Sequence, residues 1–98
     1  MHEYHKHDLK FKIEKMGQNY GLMILLTVMN NEMEISEIYQ ALKEYNPTYI
    51  KENLDLLVNN GMLNIRIEEI MPPNIYYTIS NQGKEIITVF EAIAQSKL

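Results

Sequence analysis

The chain has 98 residues, which is enough for one domain with a thin core and too few for a cleft between two domains. It contains no cysteine, which excludes disulfides, thiolate metal sites and thiol chemistry, and its net charge of −4 means that a polyanion must bind at a local patch. The N-terminus lacks an apolar signal core, and the longest apolar run, residues 22–26, is far shorter than a membrane span. We therefore expect a cytoplasmic protein without membrane contact.

The first two predicted helices lie in the N-terminal third of the chain. Residues 1–7 are expected to be flexible, and Leu9 and Ile13 recur at helical spacing within a first helix at residues 8–19. Gly17 to Asn19 break this pattern, and the apolar stretch that follows, residues 20–30, is too long for a typical strand. It predicts a buried central helix.

A second short helix is predicted at the sequence SEIYQALK. Ser36 is the expected N-cap, with the apolar Ile35 before it, and Ile38, Ala41 and Leu42 would form the inward face.

A third helix, residues 47–60, is bracketed at both ends. Asn46 can cap its free amide groups, Pro47 suits the first helical position, and Gly61 suits the left-handed residue beyond the end. At 100° per residue one side of this helix is apolar and packs, while the other is polar and faces outward. The packing residues are Ile50, Leu54, Leu57 and Val58, and the outward ones are Thr48, Glu52, Asp55 and Asn59.

Two short helices joined by a turn after a buried helix form a helix-turn-helix, here residues 20–62. Residues 63–70 and 75–80 alternate as two strands, and Pro72 and Pro73 force a loop between them. A helix-turn-helix followed by such a hairpin is a winged helix. The expected fold is therefore mainly α with a small β-hairpin, an α+β winged helix-turn-helix domain at residues 8–98 with its wing at residues 63–80.

The last predicted helix, residues 81–98, carries an apolar stripe too broad to be covered by one small domain. Together with the apolar face of the first helix, this stripe predicts a symmetric homodimer joined through the terminal helices. The expected dimer residues are Leu9, Ile13, Ile86, Val89, Phe90 and Ile93.

The stretch MPPNIYYTISNQGKEIITVFEAIA, residues 71–94, resembles the wing-to-helix signature of the HxlR-type winged-helix transcriptional regulators within the MarR-like group. The matching positions are Pro72, Pro73, Ile75, Tyr77, Ile79, Ser80 and Gly83. Residues 35–42 and 49–63 are similar to the second helix and the recognition helix of that family. The resemblance implies a homodimer on double-stranded DNA, with helix 47–60 in the major groove and the wing tip, residues 71–74, at the backbone or minor groove.

The candidate DNA-contacting residues follow from this geometry. They are Ser36, Pro47, Thr48, Tyr49, Lys51, Glu52, Asp55, Arg66 and Asn74. The family usually carries arginine near Asn53 and at Asn74, so two phosphate contacts are absent here. Glu52 and Asp55 would either repel phosphates or accept hydrogen bonds from a cytosine amino group.

Several alternatives stay open from the sequence. Arg66 could contact a phosphate, or pair with Glu68 or Glu69. The acidic balance and the exposed Leu56 would also suit a winged helix that has become a protein–protein interaction module, and a small-molecule effector could bind between the core and the dimer helices. Histidines 2, 5 and 7 could bind a metal, but three histidines near a chain terminus are more often solvated.

We expect no metal, no cofactor and no enzymatic activity. The sequence shows neither a paired-carboxylate motif nor a Ser/His/Asp arrangement nor a glycine-rich phosphate loop. In the family, many members also sense oxidants through an N-terminal cysteine, whose position here is His7.

Overall fold

A computed structural model describes the backbone of residues 20–96 and the side chains of residues 20–92. The predicted flexible terminus and first helix, including Leu9 and Ile13, lie outside these residues, and so do the three histidines. Within the described part, four helices and three strands follow one another along the chain. They are α1 (Gly21–Thr27), β1 (Met33–Glu34), α2 (Ile35–Ala41), α3 (Pro47–Asn59), β2 (Leu63–Glu68), β3 (Asn74–Ile79) and α4 (Asn81–Ser96).

This order confirms the predicted winged helix-turn-helix, which is mainly helical with a small antiparallel sheet. No helix within residues 20–96 combines the length and apolar character needed to cross a membrane.

Helix α1 is shorter than the stretch predicted for it and is buried on one side only. It follows Tyr20, whose φ is 67°, and it ends at Thr27. Ile24 and Leu25 are fully buried, whereas Met23 and Leu26 remain 41% and 44% exposed. The predicted central helix is therefore buried on its inner side, and its outer side is exposed.

The predicted cap of α2 was wrong by two residues. The helix begins at Ile35 with Glu34 as its N-cap, and Glu34 and Glu37 form a reciprocal capping box. The Glu37 carboxylate accepts from the backbone N–H of Glu34 at 2.8 Å. Ser36 thus lies inside the first turn, where its hydroxyl donates to the Glu34 carboxylate. A glutamate three residues after the cap satisfies one more free amide than a lone serine would.

Both ends of α3 form as the sequence predicts. The side chain of Asn46 accepts from the backbone N–H of Thr48 at 2.9 Å, and Pro47 occupies the first turn. Gly61 follows the helix with φ 77°, in the left-handed region that favours glycine. The helix ends at Asn59, one residue before the expected position, with Asn60 as its C-cap.

The sheet has the strand order β1-β3-β2, and both pairings are antiparallel. Two-residue β1 was not predicted, and it pairs Met33 with Tyr77 of β3. The hairpin of β2 and β3 pairs Leu63 with Ile79 and Ile67 with Ile75, which gives the predicted wing with slightly different strand ends.

The core lies where α1, α2, α3 and α4 meet the base of the wing, and Tyr77 of β3 is buried at its centre. Ser80 joins three elements at this base. Its hydroxyl donates to the Gly61 carbonyl at 2.7 Å and accepts from the Gly83 N–H at 3.0 Å, while its N–H donates to the Met62 carbonyl at 3.0 Å. These bonds fix the wing and α4 relative to the end of α3.

Helix α4 packs part of its apolar stripe against its own chain. Ile86 and Ile87 are buried in the core of their own chain, so we assign Ile86 to the core rather than to the seam. Val89 and Phe90 are half-buried, and the side chain of Ile93 lies outside the described residues.

Candidate nucleic-acid interface

The outward face of α3 is exposed as the helical periodicity predicts. Thr48, Glu52, Asp55 and Asn59 are all exposed, and Ile50, Leu54 and Leu57 are buried on the opposite side. The exposed stripe runs the full length of the helix, from Pro47 to Asn59. A helix held by one face, with the other free along its length, can enter a groove of another molecule.

At the flank of this face, Tyr49 is 51% exposed and Leu56 is 44% exposed. The Tyr49 ring lies edge-on to the ring of Tyr20, with 6.1 Å between the centroids. The Tyr20 ring also contacts the ring of Tyr45, with 5.1 Å between the centroids. Three tyrosines therefore pack together at the N-terminal end of α3, which restrains Tyr49 as a candidate contact.

The single cation of α3 is paired within the helix. Lys51 Nζ lies 2.9 Å from both carboxylate oxygens of Asp55, one helical turn further on. Hydrogen bonding to Asp55 is the largest cause that raises the pKa of Lys51. Because both side chains are about half exposed, the pair is a local charge neutralisation and contributes little to stability.

Asn53 lies away from the outward face. It is 7% exposed, and its amide donates to the Tyr49 carbonyl at 2.8 Å within the helix. No local sequence pattern predicts this burial. Asn53 therefore takes no part in the outward face of α3.

The alternative in which Arg66 of the wing pairs with Glu68 or Glu69 was wrong. Its guanidinium binds the carboxylate of Glu32 through two hydrogen bonds, Nε at 3.0 Å and an Nη at 2.7 Å. It also lies 4.2 Å from the centre of the Tyr76 ring. The hydrogen bond from Arg66 is the largest cause that lowers the pKa of Glu32.

The strand register explains this partner. Glu34, Tyr76 and Arg66 are in register across the three strands, so their side chains share one face of the sheet. Glu32 directly precedes β1 and is 34 residues from Arg66 in the chain. Sequence reasoning missed Glu32 because only the pairing of β1 with β3 brings it there.

The rest of this face of the wing is also internally bonded. The Asn74 amide donates to a Glu68 carboxylate oxygen at 3.0 Å, and the Tyr76 hydroxyl donates to the same oxygen at 3.3 Å. Partial burial, followed by the charge of Glu68, raises the pKa of Tyr76. Asn74 and Arg66 thus lie on one polar surface together with two carboxylates.

The wing tip and the opposite face of β2 are apolar. Met71 is 95% exposed, and Ile65, Ile67 and Ile70 are between 45% and 55% exposed. Ile65 and Ile67 follow the predicted alternation and share a face with Tyr77 and Ile75, but they lie beyond the edge of the core.

The structure brings the candidate residues together in three groups. One is the outward face of α3, a second is the polar face of the wing, and the third is Ser36 in the first turn of α2. A shallow cleft of about 370 Å³ lies apart from these, between the end of α1 and the exposed side of α4, and Met29, Asn30, Lys84 and Thr88 are among its lining residues.

Comparison with known proteins gives matches along most of the chain. Residues 15–97 match the HxlR-like helix-turn-helix family. An uncharacterized HTH-type transcriptional regulator of Methanothermobacter thermautotrophicus is 20% identical over 83 residues, which are 85% of this chain and 63% of that protein. The chain therefore spans less than two thirds of the length of that relative.

Two of the similar solved structures illustrate the shared fold. The reduced form of the transcriptional regulator YodB from B. subtilis has a TM-score of 0.77 at 19% identity, covering 97% of this chain and 89% of that one. HlyU from Vibrio cholerae N16961 has a TM-score of 0.67 at 25% identity, covering 97% and 96%.

Proposed function

Because the chain belongs to the HxlR-like helix-turn-helix family, we propose that it is a transcriptional regulator that binds double-stranded DNA as a homodimer in the cytoplasm. The family and the fold are those of transcriptional regulators and not of enzymes. The related protein from Methanothermobacter is itself named as a transcriptional regulator.

The exposed outward face of α3 carries this proposal. An α-helix with its side chains is about 10–12 Å across, which fits the major groove of B-DNA at about 12 Å. Thr48 and Glu52 would face the bases with the Lys51–Asp55 pair beside them, and the amide groups at the start of α3 would face a phosphate. Pro47 and Tyr49 would lie at the groove edge.

The wing would contact the DNA backbone or the minor groove beside α3. Its tip offers Met71 and the proline pair, and its polar face offers Arg66 and Asn74. Ser36 would lie near the DNA backbone, because α2 is the first helix of the helix-turn-helix and such a helix crosses the DNA backbone.

Few phosphate contacts are expected from this surface. Lys51 is engaged by Asp55 and Arg66 by Glu32, so a phosphate must compete with a carboxylate for either cation. We expect an affinity for random duplex that is low and falls less steeply with salt than that of a strongly basic regulator.

Dimerisation would place two copies of α3 one helical turn of DNA apart, about 34–36 Å. The half-burial of Val89 and Phe90 on α4 supports a seam along that helix. A small-molecule effector stays a prediction, and the cleft beside Lys84 is the place to look for one.

Selection of bound fragments from the source genome by the purified protein tests the proposal. We expect one inverted-repeat site to be enriched. Failure to enrich any duplex sequence at low salt would contradict DNA binding and would favour the interaction-module hypothesis.

Thr48→Glu is a suitable loss-of-binding variant. A carboxylate in the first turn of α3 is favourable for the helix but repels phosphate, so folding should persist while binding falls by tenfold or more at low salt. Asn81→Glu places the same charge in the first turn of α4, beside the C-terminal end of α3, and serves as the matched control. Equal binding by Thr48→Glu and wild type would remove α3 from the interface.

A further inference from the structure

Glu52 occupies the centre of the outward face of α3. At 100° per residue it lies within about 30° of the direction opposite the buried side chains. Thr48 precedes it by one turn, and Leu56 follows by one turn. If α3 enters a groove, Glu52 is therefore among the side chains that reach deepest.

The Glu52 carboxylate has no compensating charge within the described residues. Its neighbours at three and four positions along the helix are Tyr49, Thr48, Asp55 and Leu56, none of them cationic. The adjacent Lys51 turns to Asp55, with both Asp55 oxygens at 2.9 Å. The two carboxylates of this face are thus unlike: Asp55 is neutralised and Glu52 is not.

An unpaired carboxylate in a groove between two rows of phosphates weakens binding unless it meets a hydrogen-bond donor. On the floor of the major groove the only donors are the amino groups of cytosine and adenine. Adenine places the acceptor N7 next to its amino group, and N7 repels a carboxylate. Cytosine offers its N4 amino group without a neighbouring acceptor, so it is the base that a carboxylate selects.

We propose that Glu52 is a specificity-determining residue that accepts a hydrogen bond from the N4 amino group of a cytosine, once in each half-site. This inference rests on the proposed DNA binding. Asp55, held by Lys51, has no such role and serves to neutralise the one cation of the helix.

The test uses the full chain and the site obtained by fragment selection. Duplexes carrying each of the four base pairs at every position of the half-site are measured against wild type, Glu52→Gln and Asp55→Asn. Wild type should prefer C·G over the other pairs at one position by about 5- to 150-fold. Glu52→Gln should shift that preference to A·T, because glutamine pairs with N6 and N7 of adenine, and should bind random duplex as tightly as wild type or more tightly. Asp55→Asn should keep the preference for C·G.

The outcomes separate the two proposals. A site that shows no cytosine requirement, or a Glu52→Gln protein with the base preferences of wild type, overturns the role of Glu52 while DNA binding stands. Uniformly tighter binding of Glu52→Gln to every sequence also overturns it, since this would mean that Glu52 only repels phosphates. If wild type enriches no site at all, the proposed function itself fails.

Discussion

Gly83 stands where α4 approaches the backbone at the base of the wing, and a single methyl group there should destabilise the fold. A Cβ on Gly83 would lie 2.4 Å from the Met62 carbonyl oxygen and 2.7 Å from Cγ1 of Ile79. The Met62 carbonyl cannot turn away freely, because it accepts the N–H of Ser80 at 3.0 Å. The substitution Gly83→Ala therefore has to move α4 rather than a flexible side chain.

The size of the effect follows from three contributions. The contact with Met62 must widen from 2.4 Å to at least 3.0 Å, since shorter Cβ contacts are essentially never seen in real structures. Overpacking of this kind costs about 1–3 kcal/mol, and loosening the Ser80 hydrogen bonds costs about 1 kcal/mol. Alanine gains about 1 kcal/mol over glycine in helix propensity. We expect the free energy of unfolding to fall by about 2 kcal/mol, which lowers the Tm by about 8–16 °C.

Thermal unfolding followed by far-UV circular dichroism measures this loss. All variants should be compared at one protein concentration, because the proposed dimerisation would make the Tm concentration-dependent. Glu85→Ala is the control, as it places an alanine on the exposed side of the same helix and should change stability by no more than about 0.5 kcal/mol. A Tm of Gly83→Ala equal to or above that of wild type would refute the assigned close approach.

Two further changes address binding and assembly. Glu32→Gln should free Arg66 for a phosphate and make the slope of log K for DNA binding against log salt steeper by about 0.9 per protomer. Glu69→Gln leaves the Glu32–Arg66 pair intact and should not change this slope. Equal slopes in both variants would mean that Arg66 does not meet a phosphate. Phe90→Glu should convert the proposed dimer to a monomer, as measured by light scattering at micromolar concentration. Thr88→Glu, on the exposed side of α4, should stay dimeric. A wild-type protein that is monomeric throughout would contradict the dimer itself.

The elements that the sequence predicted well are those whose signals lie within a few residues. Asn46, Pro47 and Gly61 bracket α3 because each acts on backbone groups of its own turn. The wing follows from period-two alternation on both sides of a proline pair, and the exposed face of α3 follows from its 100° periodicity. Local signals of these kinds therefore indicated a winged helix and the polar outward face of α3.

The partner of Arg66 on the wing depended on tertiary structure. Glu32 reaches Arg66 across 34 residues only because β1 pairs with β3, and a two-residue strand carries no readable pattern. In the same way, the close approach of Gly83 to Met62 depends on how α4 packs against the wing.

Competition between local partners decided the remaining differences. Ser36 and Glu34 are both acceptable N-caps by type, and the position of Glu37 three residues after Glu34 selected the latter. Lys51 could have paired with a phosphate or a carboxylate, and Asp55 one turn away is its partner in the folded chain. The sequence by itself thus determined where the helices, the wing and the outward face of α3 lie. Tertiary packing determined that Glu32 neutralises Arg66 on the wing, because this pair depends on the pairing of β1 with β3, which local periodicity does not encode.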